Sequence, residues 1–181
     1  MTLVDDLRQM VSAGTAEYSV NATSYWSDAQ LQTALDHHRK LLNFEQIEWM
    51  PYVQAGGSLA YTRGEVCSNY ALIPGTAGGT VQNAGGTAVS SWTLDRDGYI
   101  SFAADSRGSA YFFTGWSYDM NAAAAEICEN WATSLKGLVD VQSDDQQLKL
   151  SQKVQTLKDM AAGFRGRQPL VQGGMRRGDA K

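Results

Sequence analysis

The sequence predicts an α+β protein: a four-helix core, a small antiparallel β-sheet inserted between the second and third helices, and an extended C-terminal arm. Three observations predict it. Apolar residues recur at helical spacing toward both ends of the 181-residue chain, and they alternate at strand spacing between about residues 44 and 115. The last stretch, "QPLVQGGMRRGDAK", holds too little apolar material to fold by itself. Residues 1–164 are read as a single domain and residues 165–181 as the arm. A chain of this size removes roughly 70% of its extended surface from water when it folds, which is enough for one real core.

The first helix, about residues 2–13, sets Leu3, Leu7, Met10 and Val11 on one face and Asp5, Asp6, Arg8 and Gln9 on the other, with Gly14 ending it. The second, about residues 28–42, is capped by Ser27 with Gln30 three positions on, as a capping box requires. Its stripe is Leu31, Ala34, Leu35, His38, Leu41 and Leu42. The β insertion follows, about residues 44–115. "EQIEWMPYV" alternates, Gly56 and Gly57 signal a turn, and "SLAYT" resumes the alternation. "WTLDRDGYISF" is the clearest hairpin, with Trp92 and Leu94 before an Asp-Gly step and Ile100 and Phe102 after it. "SAYFFTG" is a further strand. Residues 74–90 are rich in glycine and small polar groups and are read as a long flexible loop carrying Gly75, Gly78, Gly79, Gly85 and Gly86.

The third helix, about residues 120–139, opens at a strand-to-helix junction formed by Tyr118 and Asp119, with Asp119 as N-cap. Ala124, Cys128, Trp131, Leu135 and Leu138 form its packing stripe, and its alanines admit a close neighbour. The fourth, about residues 144–164, is predicted to start at Ser143 with Gln146 completing a capping box. It carries Leu150, Val154, Leu157, Ala161 and Phe164, and Gly163, Gly166 and Pro169 stop it.

Charge narrows the function. A formal charge of -4 argues against a generic nucleic-acid binder, whose affinity comes from a basic surface releasing counterions. The charge is uneven: Arg165, Arg167, Arg176, Arg177 and Lys181 face only Asp179 in the tail, so the body is the more acidic part. Two cysteines, Cys67 and Cys128, make neither a disulfide framework nor a zinc knuckle. The N-terminus lacks the pattern of a signal peptide, and no apolar run reaches the roughly 20 residues of a membrane span. A soluble protein that is not exported is expected.

Catalytic and metal chemistry is poorly supplied. His37 and His38 are adjacent and project about 100° apart on a helix, whereas paired ligands need a spacing of three or four. "TLDRDGYISFAA" lacks the first and last acidic ligands of a calcium loop, with Thr93 and Ala104 in those places. The glycine-rich stretch has no phosphate-cradle lysine, and no "GxSxG" occurs. No enzyme, no cofactor and no metal is expected.

Two features carry alternative readings. Trp49, Tyr52, Tyr61, Trp92, Tyr99, Tyr111, Phe112 and Phe113 suit a sugar-binding face, or a sheet packed on helices and neighbouring subunits; the second is favoured. The positive tail is either a solubilising end or a docking arm. In the second case Leu170, Val171 and Met175 are anchors, and Arg165, Arg167, Arg176 and Arg177 engage acidic groups of a partner.

At "GWSYDMNAAAAEICENWA" the chain resembles the head-tail adaptor (connector) family of tailed bacteriophages, in which an aromatic-Asp-small pattern opens an alanine-rich helix with a tryptophan some turns on. Tyr118, Asp119, Ala122 to Ala125 and Trp131 carry this pattern here. "SYWSDAQLQTALDHHRK" is similar to the family's second helix and "LSQKVQTLKDMAAGFRGRQP" to its last, with Phe164 and Arg165 as an aromatic-Arg pair. The resemblance implies a structural virion protein of the neck, assembled in the host cytoplasm as a homo-oligomeric ring, commonly a dodecamer, that connects portal to tail and helps retain packaged DNA. It implies that the arm docks the portal protein and that DNA passes through the channel without specific binding. The middle sheet and its glycine-rich loop then face the channel or the next ring, a further neck or tail-completion protein. Alternatives are a carbohydrate-binding module built on the aromatic sheet and another neck component, such as a head-closure or tail-completion protein.

Overall fold

The computed structural model describes residues 2–12, 18–20, 23–66, 71–135, 141–143, 146–148 and 150–167. In chain order the elements are α1 (Leu3–Met10), β1 (Tyr18–Val20), β2 (Thr23–Tyr25), α2 (Asp28–His37), β3 (Arg39–Gln46), β4 (Glu48–Trp49) and β5 (Tyr52–Val53). There follow β6 (Leu59–Ala60), β7 (Arg63–Glu65), β8 (Ala71–Leu72), β9 (Gly79–Asn83), β10 (Trp92–Leu94), β11 (Tyr99–Phe102) and β12 (Tyr111–Tyr118). The chain continues through α3 (Met120–Leu135), β13 (Val141–Ser143), β14 (Gln146–Leu148) and α4 (Leu150–Arg165).

This corrects the predicted fold class. Among the described residues four helices are present, but they are accompanied by several antiparallel sheets, and a four-helix core with one small inserted sheet does not describe the molecule. Three local causes account for the difference. The second helix stops at His37 rather than Leu42, and Arg39–Gln46 becomes β3. Leu41 and Leu42 fit a helical stripe as neighbours, but on a strand they point to opposite sides, so Leu42 is buried and Leu41 is 50% exposed. The glycine-rich stretch supplies β9, where a loop was expected. Near the C-terminus, β13 and β14 pair as a hairpin in place of the first turns of the fourth helix, so Ser143 is a strand residue and not a cap. The first helix is shorter than residues 2–13, and of the third helix's predicted range residues 136–139 lie outside the described residues.

β12 is the organising strand. β3 pairs along one edge, with Trp116 opposite Leu41 and Phe112 opposite Gln46, and β8 and β9 share the other edge end to end. A second sheet runs β10-β11-β7-β4. Its Trp92, Leu94, Ile100 and Phe102 join Phe113, Leu42 and Val81 in one buried cluster. The predicted hairpin is β10–β11, with Leu94 opposite Ile100, Gly98 at φ 93° and Asp95 Oδ1 accepting from the N–H groups of Asp97 and Tyr99.

A second buried cluster is helical. Leu7 of α1, Leu31 and Leu35 of α2, Ala124, Ile127, Cys128 and Trp131 of α3, and Leu157, Ala161 and Phe164 of α4 pack together, with Tyr118 entering from β12. Helix caps hold the entry angles: Thr2 with Asp5 and Ser27 with Gln30 each form a complete capping box. Buried Asp6 of α1 sits 2.8 Å from Arg96 in the β10–β11 turn, a charge pairing that ties the helical cluster to the second sheet.

Candidate functional site

The strand-to-helix junction is built as predicted at Asp119. Its N–H donates to the carbonyl of His38 at 3.1 Å, while its Oδ1 accepts from the N–H of Ala122 at 2.9 Å and relieves the unpaired start of α3. Tyr118 is buried beside it. Burial pushes its phenol above the ordinary tyrosine value, Asp36 adds to the rise and Arg39 opposes it. The ring borders an open, mainly apolar cavity of about 370 Å³ between Leu3, Val4, Leu35, Ile73 and Pro74.

Ala124, Cys128, Trp131 and Leu135 all lie in the helical cluster. Burial, with Glu129 adding, raises the Cys128 thiol to about 11, which keeps it protonated and unreactive at neutral pH. Cys67 lies outside the described residues.

One arrangement was invisible in the sequence. His37 Nδ1 is 3.0 Å from Glu126 Oε1 and His38 Nε2 is 2.8 Å from Glu126 Oε2, so one carboxylate of α3 holds both rings at the end of α2. His38 is the C-cap, where the backbone leaves helical geometry, and that turn brings two adjacent rings to one partner. Among the described residues no cluster of His, Cys, Asp and Glu suited to a metal ion is found. No described helix is long and apolar enough to cross a membrane.

The described part of the C-terminal arm is Arg165 to Arg167. Arg165 is engaged within its own chain: Nε and Nη2 donate to the two oxygens of Glu129 at 2.9 and 2.7 Å. The same pair holds Glu129 below the ordinary carboxylate range and Arg165 above its usual value. Asn121, in the first turn of α3, donates to the carbonyl of Arg167 at 3.4 Å. Leu170, Val171, Met175, Arg176 and Arg177 lie outside the described residues.

The glycines divide by role. Gly75 and Gly86 take positive φ in turns. Gly79 lies in β9, where a Cβ would come within 2.5 Å of the Phe113 ring and the Thr114 carbonyl; Gly78 is crowded in the same way by Ile73. Gly85 sits in the turn after β9, where Asn83 Oδ1 accepts from its N–H and from that of Thr87.

Among the described residues two apolar surfaces remain in solvent. On the face of β12 opposite its buried cluster, Trp116 pairs with Leu41 under the Arg39 guanidinium, and Phe112 stacks on Phe44 with ring centres 4.2 Å apart. Phe44 holds this position at φ 56°, a left-handed backbone that costs a bulky residue about 1–3 kcal/mol and occurs at the register shift opposite Thr114. The second surface is the β5–β6 hairpin, where Met50, Tyr52, Val53 and Leu59 are all exposed. Of the eight aromatics considered for a sugar-binding face, Tyr52 alone is fully in the exposed class, while Trp92 and Phe113 are buried.

Compared with protein-family models, curated proteins and solved structures, the chain shows no match.

Proposed function

We propose that this protein is a structural, non-enzymatic component of a tailed-bacteriophage virion, forming a ring in the neck that joins the portal to the tail and helps retain packaged DNA. The observation that carries the reading is spatial. The three segments that resemble the head-tail adaptor family are far apart in sequence, yet α2, α3 and α4 pack into one buried cluster. The end of α4 returns to the first turn of α3 through the Asn121–Arg167 contact. An acidic body beside a DNA channel repels phosphate and lets the duplex slide.

In this reading the partners are the portal, through residues 165–177, and the next neck or tail component. Co-sedimentation with portal rings tests it. The full chain is expected to travel with the portal, and a chain ending at Arg167 is expected to melt normally but to stay behind. Failure of the full chain to bind overturns the reading, and saturable quenching of tryptophan fluorescence by a glycan would replace it with sugar recognition.

A further inference from the structure

We propose that the cavity beside Tyr118 is a binding site for a small, uncharged, mainly apolar molecule carrying a hydrogen-bond acceptor, which the Tyr118 hydroxyl engages. The site goes beyond the neck reading and does not depend on it.

The hydroxyl points to a missing partner. Tyr118 is 5% exposed, yet among the described residues its hydroxyl makes no hydrogen bond. A buried tyrosine hydroxyl ordinarily finds a partner, because going without one forfeits the bond it made to water. Burial also holds the phenol above its ordinary value, so at neutral pH the group keeps its proton and is a donor. What it lacks is an acceptor.

The chamber has the size and lining of a ligand site. Its volume is about 370 Å³, and its walls are Leu3 and Val4 of α1, Leu35 of α2, Ile73 and Pro74 after β8, and Tyr118 of β12. An engineered apolar cavity of ~150 Å³ already takes up one benzene ring. Apolar walls with a single well-placed polar group are typical of small-molecule pockets. At the rim the other polar side chains are engaged: Thr2 Oγ1 accepts from the N–H of Asp5, and Gln32 Nε2 donates to Asp36 at 3.1 Å.

The walls stand before anything binds. The Thr2–Asp5 capping box fixes the first turn of α1. Ala71 pairs with Tyr118 and Leu72 with Ser117 on the β8–β12 ladder, and just beyond Pro74 the Gly75 N–H donates to the Leu94 carbonyl at 2.8 Å. Ile73 and Pro74 are thus held from both ends, and filling the chamber does not require ordering a loop. Charge selects the ligand class. Asp36 and Arg39 act on the phenol in opposite directions, so they favour neither a carboxylate nor an ammonium, and the apolar walls would leave either ion desolvated.

Methyl chemical shifts of Leu3, Val4, Leu35 and Ile73 in the full chain test the site. The probes are acetophenone and isopropylbenzene, which is of nearly the same size and shape without the carbonyl. Acetophenone is expected to shift these methyls saturably, with a dissociation constant at or below ~1 mM. Tyr118→Phe keeps the ring and is expected to weaken acetophenone about fivefold while leaving isopropylbenzene unchanged. Val4→Trp, which fills the chamber, is expected to abolish both at an unchanged melting temperature; should it fail to fold, Tyr118→Phe decides alone. No saturable shift with either probe, or equal weakening of both by Tyr118→Phe, overturns the site. So does a shift of these methyls by portal rings and by neither probe, which would give the cavity to a partner's side chain.

Discussion

Asp119 does three things with one residue: it ends β12, starts α3 and ties both to the carbonyl of His38. Asp119→Ala removes the cap and is predicted to cost about 1 kcal/mol, seen as a lowered denaturation midpoint with unchanged slope. Glu129 and Arg165 give a pH signature. The carboxyl is depressed in the folded state, so its contribution is present above its unfolded value of about 4.3 and is lost as pH falls through the folded one. Both side chains are about half exposed, so Arg165→Ala is predicted to cost no more than ~1 kcal/mol at pH 7 and progressively less as acid protonates Glu129, read in urea titrations. At this scale a near partner made some caps legible, though the same spacing misled at Ser143 and Gln146, which pair in the β13–β14 hairpin. The boxes at Ser27–Gln30 and the cap at Asp119 follow from spacings of three. Glu126 was not legible as the partner of His37 and His38, because 88 and 89 residues separate them and only the fold closes that gap.

At the scale of elements, β9 shows why a glycine-rich stretch can be a strand. At its first residue, Gly79, the backbone presses against the Phe113 ring and the Thr114 carbonyl, where a Cβ does not fit, while Val81 two positions on is buried in the sheet cluster. Gly79→Ala is therefore predicted to destabilise by ~1–3 kcal/mol through overpacking. Gly85→Ala, whose Cβ would meet only the Asn83 side chain at 3.4 Å, is predicted to cost much less. Thermal melts of the two variants check the difference. Composition alone reads such a stretch as loop, since glycine hides the period-two pattern that marks a strand. The end of α2 failed for the opposite reason. "RKLLNFEQ" carries leucines that satisfy both periods, and pairing with β12 decides in favour of the strand. The β10–β11 hairpin was legible because its Asp-Gly step puts a glycine where the turn takes positive φ, at Gly98, between two alternating apolar runs.

For the whole molecule, the predicted single helical core is replaced by two buried clusters, one of helices and one of sheets, joined through Tyr118 and the Asp6–Arg96 pair. Removing the guanidinium strands a buried carboxylate, so Arg96→Ala is predicted to cost ~1–3 kcal/mol, read by chemical denaturation. The caps at Ser27 and Asp119 and the packing face of α3 could be read from the chain, whereas the cap expected at Ser143 could not. The exposed hairpin and aromatic platform could not, because exposure of apolar side chains depends on which strands cover which faces. Whether this body forms a ring on a portal is visible by electron microscopy of the full chain mixed with portal rings: a second ring of density stacked on the portal is expected, and bare portals beside free single copies would overturn the proposed role.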